Sequence, residues 1–189
     1  MSGLASPFHS SAAADLGFVR QMKHLLPALL ILVTLDCAGA AKITDVQVVE
    51  FGRFRKTDAA GIMPAPRSIT GLANAVNAAT LIEKTTEIHA TKGTSFGLHV
   101  RVIGQPDGAV LQFTCRCVHP KFTDPISGRS STVEEWNSRA AIGREVYIGY
   151  SFDNSWELVP GKWTIQIFYG ATLVAQKEFN VTFAAQAPN

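Results

Sequence analysis

Lys162 to Phe183 reads KWTIQIFYGATLVAQKEFNVTF. Trp163, Ile165, Ile167 and Tyr169 fall on one face of an extended chain. After Gly170-Ala171, Leu173, Ala175, Phe179, Val181 and Phe183 do the same. A period of two on both sides of a short glycine turn predicts a β-hairpin with one buried face. Pro160-Gly161 supplies a turn into its first strand.

The same alternation extends towards the N-terminus. Glu145–Phe152 places Val146, Ile148, Tyr150 and Phe152 together, and Val110–Val118 places Leu111, Phe113, Cys115 and Cys117 together. Thr94–Ile103 places Phe96, Leu98, Val100 and Val102 opposite His99 and Arg101. Leu81–Ile88 and the β-branched, aromatic stretch Ile43–Phe54 complete the set, with Gly52 as a candidate bulge. Two segments lack this signal and are expected to be long loops, Arg55–Asn77 and His119–Gly143. The first is given a short extra strand near Ser68–Thr70 and a helical turn in the Ala-rich Leu72–Ala79. The sum is an all-β, immunoglobulin-like antiparallel β-sandwich of about seven strands.

Composition narrows the function classes. Of 189 residues, 47% are hydrophobic and 17% charged, which excludes a wholly disordered chain. Lys and Arg number 17 against 15 Asp and Glu, a net charge of +2 that offers no strong basic field for nucleic acid. Three cysteines do not make a disulfide-dense scaffold.

The N-terminal part reads as an address. Arg20, Lys23 and His24 precede the apolar run Leu25–Leu35, which ends in the small residues Ala38-Gly39-Ala40. At about eleven residues the run is shorter than the roughly 20 that a membrane-spanning helix needs. Residues 22–40 are therefore expected to be a signal peptide cut after Ala40, with no stable membrane span left after cleavage. Met22 is the expected start, and residues 1–21 a non-native upstream extension. Asp36 in front of Cys37 argues against a lipid anchor. The domain is expected to span 41–183, followed by a disordered tail at 184–189. Its location is then periplasmic or secreted.

From about Ile43 to Phe183 the chain resembles a bacterial family known as domain of unknown function 3859. The resemblance lies in Glu50-Phe51-Gly52, Thr85-Thr86-Glu87-Ile88, Gly93-Thr94-Ser95-Phe96-Gly97 and Tyr147-Ile148-Gly149-Tyr150. It is most specific in Trp156-Glu157-Leu158-Val159-Pro160-Gly161-Lys162-Trp163. His89 stands where the family has a proline. The resemblance implies an exported single-domain protein and brings no catalytic residue with it.

The chemistry-bearing motifs each have a plainer reading. Gly93-Thr94-Ser95-Phe96-Gly97 matches G-x-S-x-G, but it opens a strand, whereas a nucleophile elbow leads from strand to helix. It is expected to be a glycine-assisted strand entry. Cys115, Cys117 and His119 share one strand face. They could pack in the core, form a strained disulfide between the cysteines, or offer soft ligands to copper or zinc. Core packing is favoured, because the face continues from Leu111 and Phe113 and free cysteine behaves as a small hydrophobe. Asn180-Val181-Thr182 is a chance sequon. Trp163 is expected in the core, Trp156 as a plug at one end, and Trp136 exposed on a polar loop beside solvated Glu134 and Glu135. No residue is assigned a catalytic, cofactor-binding or metal role, and no cofactor is expected. The reading is a non-enzymatic exported module that binds a protein or envelope component. The alternative is a small periplasmic metal-binding protein using Cys115, Cys117 and His119.

Overall fold

The computed structural model describes residues 40–183. The expected upstream extension and tail, and the expected leader up to residue 39, lie outside them. Among the described residues nine strands form: β1 Lys42–Pro64, β2 Leu72–Glu83, β3 Glu87–His89, β4 Ser95–Gln105, β5 Val110–Thr123, β6 Ser130–Ala141, β7 Glu145–Ser151, β8 Gly161–Tyr169 and β9 Thr172–Thr182. One sheet has the order β2-β1-β4-β7 and the other β3-β9-β8-β5-β6. All pairings are antiparallel except β3 with β9. A 3-10 turn, Ser155–Glu157, joins β7 to β8. No helix among the described residues is long and apolar enough to cross a membrane.

The alternation found in the sequence is the core. Phe96, Leu98, Val100 and Val102 of β4 face Phe113, Cys115 and Cys117 of β5 and Trp163, Ile165 and Ile167 of β8 across the two layers. Burying side chains from both inner faces is what holds a two-sheet sandwich together. The C-terminal hairpin forms with its turn at Gly170-Ala171, where Tyr169 pairs with Thr172. A register shift between Ile167 and Phe168 changes its far end. Beyond it Leu173 is exposed, and Val174 packs against the core in its place. Phe183, past the last ladder position, is exposed as well.

Both expected loops turn out to contain strands. Arg55–Asn77 is the outer half of a long β1–β2 ribbon, paired from Arg53↔Glu83 to Pro64↔Leu72 through several irregular steps. Its ladder is held by backbone hydrogen bonds, which need no side-chain alternation, so its Ala- and Asn-rich sequence carried no period-two signal. Leu72–Ala79 is accordingly strand, without a helical turn. Ser68–Thr70 lies in the tip, where Ser68 N–H bonds Ala65 O and Gly71 N–H bonds Ser68 O. Leu81–Ile88 is divided between β2 and β3, with Thr85 Oγ1 accepting the Glu87 N–H at 3.0 Å in the turn between them.

In His119–Gly143, β5 continues past Pro120 to Thr123 and returns as β6. Proline is tolerated here because the β5–β8 ladder ends at Val118 and the β5–β6 register shifts between Val118 and Phe122. The hairpin tip is an Asp124 turn, with its carboxylate accepting the Ile126 N–H and the Ser127 hydroxyl. β6 is polar because it is an edge strand with one open face.

Candidate functional site

Four sequence-derived candidates are placed by the core. Cys115 and Cys117 are free and fully buried, and His119 is buried two positions further along β5. Among the described residues no three of His, Cys, Asp and Glu converge closely enough to hold a metal ion. Ser95 of the G-x-S-x-G stretch is buried with its Oγ 2.7 Å from Ser151 Oγ, and Phe96 beside it is in the core. Trp163 is buried and donates its indole N–H to Val159 O at 3.0 Å. Trp156 packs half-buried against Phe122, with ring centroids 5.3 Å apart, at one end of the sandwich.

Burial fixes the state of the thiols. It pushes Cys115 up from an ordinary 9.0 to about 12. Burial, with the nearby charge of Glu134, raises Cys117 well above the ordinary value. Neutral buried thiols are inert, so native protein is expected to resist a thiol reagent at neutral pH and to label only on unfolding. Rapid native labelling would show the β5 face to be open. The pH dependence follows in sign: both folded-state values are raised, so above pH 9.0 the unfolded chain gives up thiol protons that the folded chain retains. This contribution to stability is complete below that pH and is lost as pH climbs towards about 12, which alkaline denaturation would measure.

The unexpected site lies on β6. Glu134 and Trp136 share the inward side of that strand, opposite Cys117 and Cys115 in register. Glu134 is therefore buried rather than solvated, its side chain only 5% exposed, and Trp136 is half-buried against the core. The tip of the β1–β2 ribbon closes over this edge. Ile69 N–H donates to Glu134 Oε2 at 2.6 Å, and Arg129 Nη1 donates to Ile69 O at 2.9 Å. Arg67 Nη1 and Arg116 Nε each meet Glu135 at 2.6 Å. Partial burial opposes ionisation of Glu135, but these two guanidinium groups prevail and hold its carboxyl below the usual range.

Between the ribbon tip, β6, β7 and the 3-10 turn is a cavity of about 280 Å³. Trp136, Tyr147 and Tyr150 wall it, Glu134 reaches it from β6, and Ile62 and Leu72 stand exposed at its rim. Asp153 and Glu157 lie on its other side. Glu157 Oε2 caps the turn by accepting the N–H groups of Asp153 and Asn154 at 2.6 and 2.9 Å. Burial nevertheless raises its carboxyl above the ordinary value. Tyr150 is raised too, first by burial and then by the charge of Glu157.

Two buried side-chain atoms have no hydrogen-bond partner among the described residues, Glu134 Oε1 and His119 Nε2. They face each other at 3.8 Å. His119 lies between Phe122 and Trp163, with ring centroids 4.0 and 4.8 Å away, and its Nδ1 meets Pro120 O at 2.8 Å. A carbonyl only accepts, so Nδ1 is the donor. The sequence signal for this site was slight: Glu134, Trp136, Ser138 and Ala140 do alternate, but a polar and an acidic residue among four hide an inward face.

A family model described as Domain of unknown function (DUF3859) matches residues 46–181. A crystal structure of an immunoglobulin-like protein from Pseudomonas aeruginosa is similar, with a TM-score of 0.53 at 22% identity, covering 77% of this chain and 99% of that one. At that identity the likeness concerns the fold alone. No curated protein matches the sequence.

Proposed function

Because the chain belongs to the DUF3859 family, whose description assigns no activity, we propose from its own site that it is an exported, non-enzymatic module that binds a protein or envelope component beside β6 and β7. The observation that carries this reading is the 280 Å³ cavity, with aromatic walls, an exposed apolar rim and the carboxyl residues Glu134, Asp153 and Glu157 in its lining. Binding pockets combine these features: mostly apolar walls with a few convergent polar groups. The basic, apolar and small-residue pattern of 22–40 supports export.

Expression in a bacterial host followed by fractionation tests the address. The periplasmic protein is expected to begin near Ala41, and an intact Met1 in the cytosol would remove the export part. A photo-crosslinking residue at Ile62 tests the binding part. It is expected to give a discrete adduct in cells that the same residue at Leu173, on the far hairpin, does not. No adduct at position 62, together with turnover of an ester or glycoside library by the purified protein, would replace binding with catalysis.

A further inference from the structure

The most regular strand edge of the sandwich borders the candidate site. Exposed sheet edges invite unwanted pairing, and folded proteins blunt them with bulges, charges or short length. The other edges here are treated so. β3 has three residues. The β1–β2 register breaks at several steps, β1 shifts twice against β4, and β9 carries an extra residue at Val174. β6 carries Glu135 and Arg139. β7 has no such protection. It pairs with β4 from Ser95↔Ser151 to Arg101↔Glu145 without a shift, and from Val146 to Ser151 it holds neither a charge nor a proline.

Two contacts fix which backbone groups of β7 turn outward. Phe152 N–H bonds Thr94 O at 3.0 Å, and a Cβ on Gly97 would collide with the Ile148 carbonyl. Backbone groups alternate along an antiparallel pair. The even-numbered residues therefore turn to β4, and Tyr147, Gly149 and Ser151 turn their N–H and C=O groups away from it. Among the described residues no strand pairs with that side and no backbone group bonds them. The edge faces open space. A second cavity of about 500 Å³ adjoins the first, and Asn74 and Val76 of β2, Trp136 of β6, and Tyr147 and Gly149 of β7 line both. Together they make a trough along β7, walled by the ribbon and by β6. An added strand needs about 4.8 Å beside its neighbour. A second copy would have to lift its own β7 out of an identical trough, so a single extended segment fits where a folded sheet does not. The two ends of the trough differ in charge. The first cavity is lined by Glu134, Asp153 and Glu157 and by no Lys, Arg or His, with Lys56 Nζ 3.8 Å from Asp153 offsetting one charge. The second is lined by exposed Arg139 and by no acid. β7 runs from the Arg139 end to the acidic end, so an antiparallel segment would enter with its N-terminal part among the acids.

Resting on the binding reading above, we propose that β7 takes an extended segment of a partner protein as an added antiparallel strand. The segment bonds the outward N–H and C=O groups of Tyr147, Gly149 and Ser151, with a basic residue towards Asp153 and an acidic residue towards Arg139. The test is an NMR titration of the purified protein with three capped seven-residue peptides. The first has a lysine, then alternating valine and threonine, then a glutamate. The second exchanges the lysine and the glutamate. The third is the first with its five central backbone nitrogens methylated. The first peptide is expected to shift the Gly149 amide proton downfield saturably and to slow its hydrogen exchange, leaving the Val49 amide on the bulged β1 edge unmoved. The charge-exchanged peptide should bind about threefold weaker or less, as exposed ion pairs are lost. The methylated peptide should bind at least about tenfold weaker, since its ladder donors are gone.

Ser151→Pro is expected to fold, because the N–H it removes points away from β4 and edge strands accept proline. It should weaken the first peptide by about fivefold or more. No saturable shift, equal binding of the methylated peptide, an unchanged response in Ser151→Pro, or shifts at Val49 in place of Gly149 overturns the proposal. Equal or tighter binding of the charge-exchanged peptide overturns the assigned direction. A Gly149 shift that grows with protein concentration alone, without a peptide response, gives the edge to a second copy and overturns the partner segment. An adduct from position 62 with no peptide response leaves the binding reading standing and removes the added strand. Failure of both removes both. The comparison of the first peptide with its methylated form holds even if the variant does not fold.

Discussion

Trp163→Ala is expected to lower the free energy of unfolding by about 3–5 kcal/mol, the range for truncating a large aromatic in a core. Trp163 is fully buried on β8 and touches rings from both sheets. Its centroid lies 5.9 Å from Phe96 and 5.3 Å from Phe152, both edge-on, and 4.8 Å from the stacked His119. Such pairs add to the burial itself. Truncation also leaves the Val159 carbonyl without the indole N–H. Guanidinium titration should show a lower midpoint with an unchanged m-value. Trp163→Phe keeps a ring and loses the hydrogen bond, so it should cost less, about 1–2 kcal/mol. A Trp163→Ala loss below about 1 kcal/mol would contradict a core position.

How far the sequence revealed this molecule depends on which interaction each strand relies on. β4, β5, β7 and β8 are held by a buried face, and burial imposes alternation, so Phe96 to Val102 and Trp163 to Ile167 were legible. The outer ribbon Arg55–Asn77 and the edge strand Ser130–Ala141 are held mainly by backbone ladders, and a ladder places no demand on side-chain polarity. Both therefore read as loops. The candidate site shares that fate, because the ribbon tip and β6 form much of it. Glu134 is acidic and its neighbours are polar, so only its register opposite Cys117 reveals that it points inward. Pro120 adds to this, since proline cannot donate to a ladder and so reads as a strand end, yet the chain passes it through an irregular step. Leu173 shows the opposite failure, a residue in good alternation moved off the core face by one register shift.

Gly97→Ala is expected to destabilise by about 3 kcal/mol or more, an unusually large effect for adding one methyl group. Three glycines pair directly across the first sheet: Gly52 of β1 with Gly97 of β4, and Gly97 with Gly149 of β7. Three of the stretches that carry the family resemblance contribute one glycine each. Their position explains the residue type. A Cβ on Gly97 would collide with the Ile148 carbonyl and lie 2.5 Å from Gly149 Cα, both backbone atoms of β7. A Cβ on Gly149 would collide with the Tyr147 hydroxyl, which donates to Phe96 O at 3.2 Å. At Gly52, with φ +145°, it would meet the Glu83 carbonyl of the ribbon. None of these neighbours is the yielding end of a long side chain except the Tyr147 hydroxyl, so relief requires a strand to move. For Gly97→Ala the strand is β7, an edge strand paired only with β4, and it carries Ile148 into the core and Tyr147 and Tyr150 into the cavity wall. Stability and the cavity should therefore fail together. Gly128→Ala gives the contrast: φ is +69° there, but the added methyl meets open space, so the cost should be only the backbone strain of about 1–2 kcal/mol. Equal losses at positions 97 and 128 would mean that the glycine row serves chain flexibility. A larger loss at 97 would establish close strand approach as the reason for glycine.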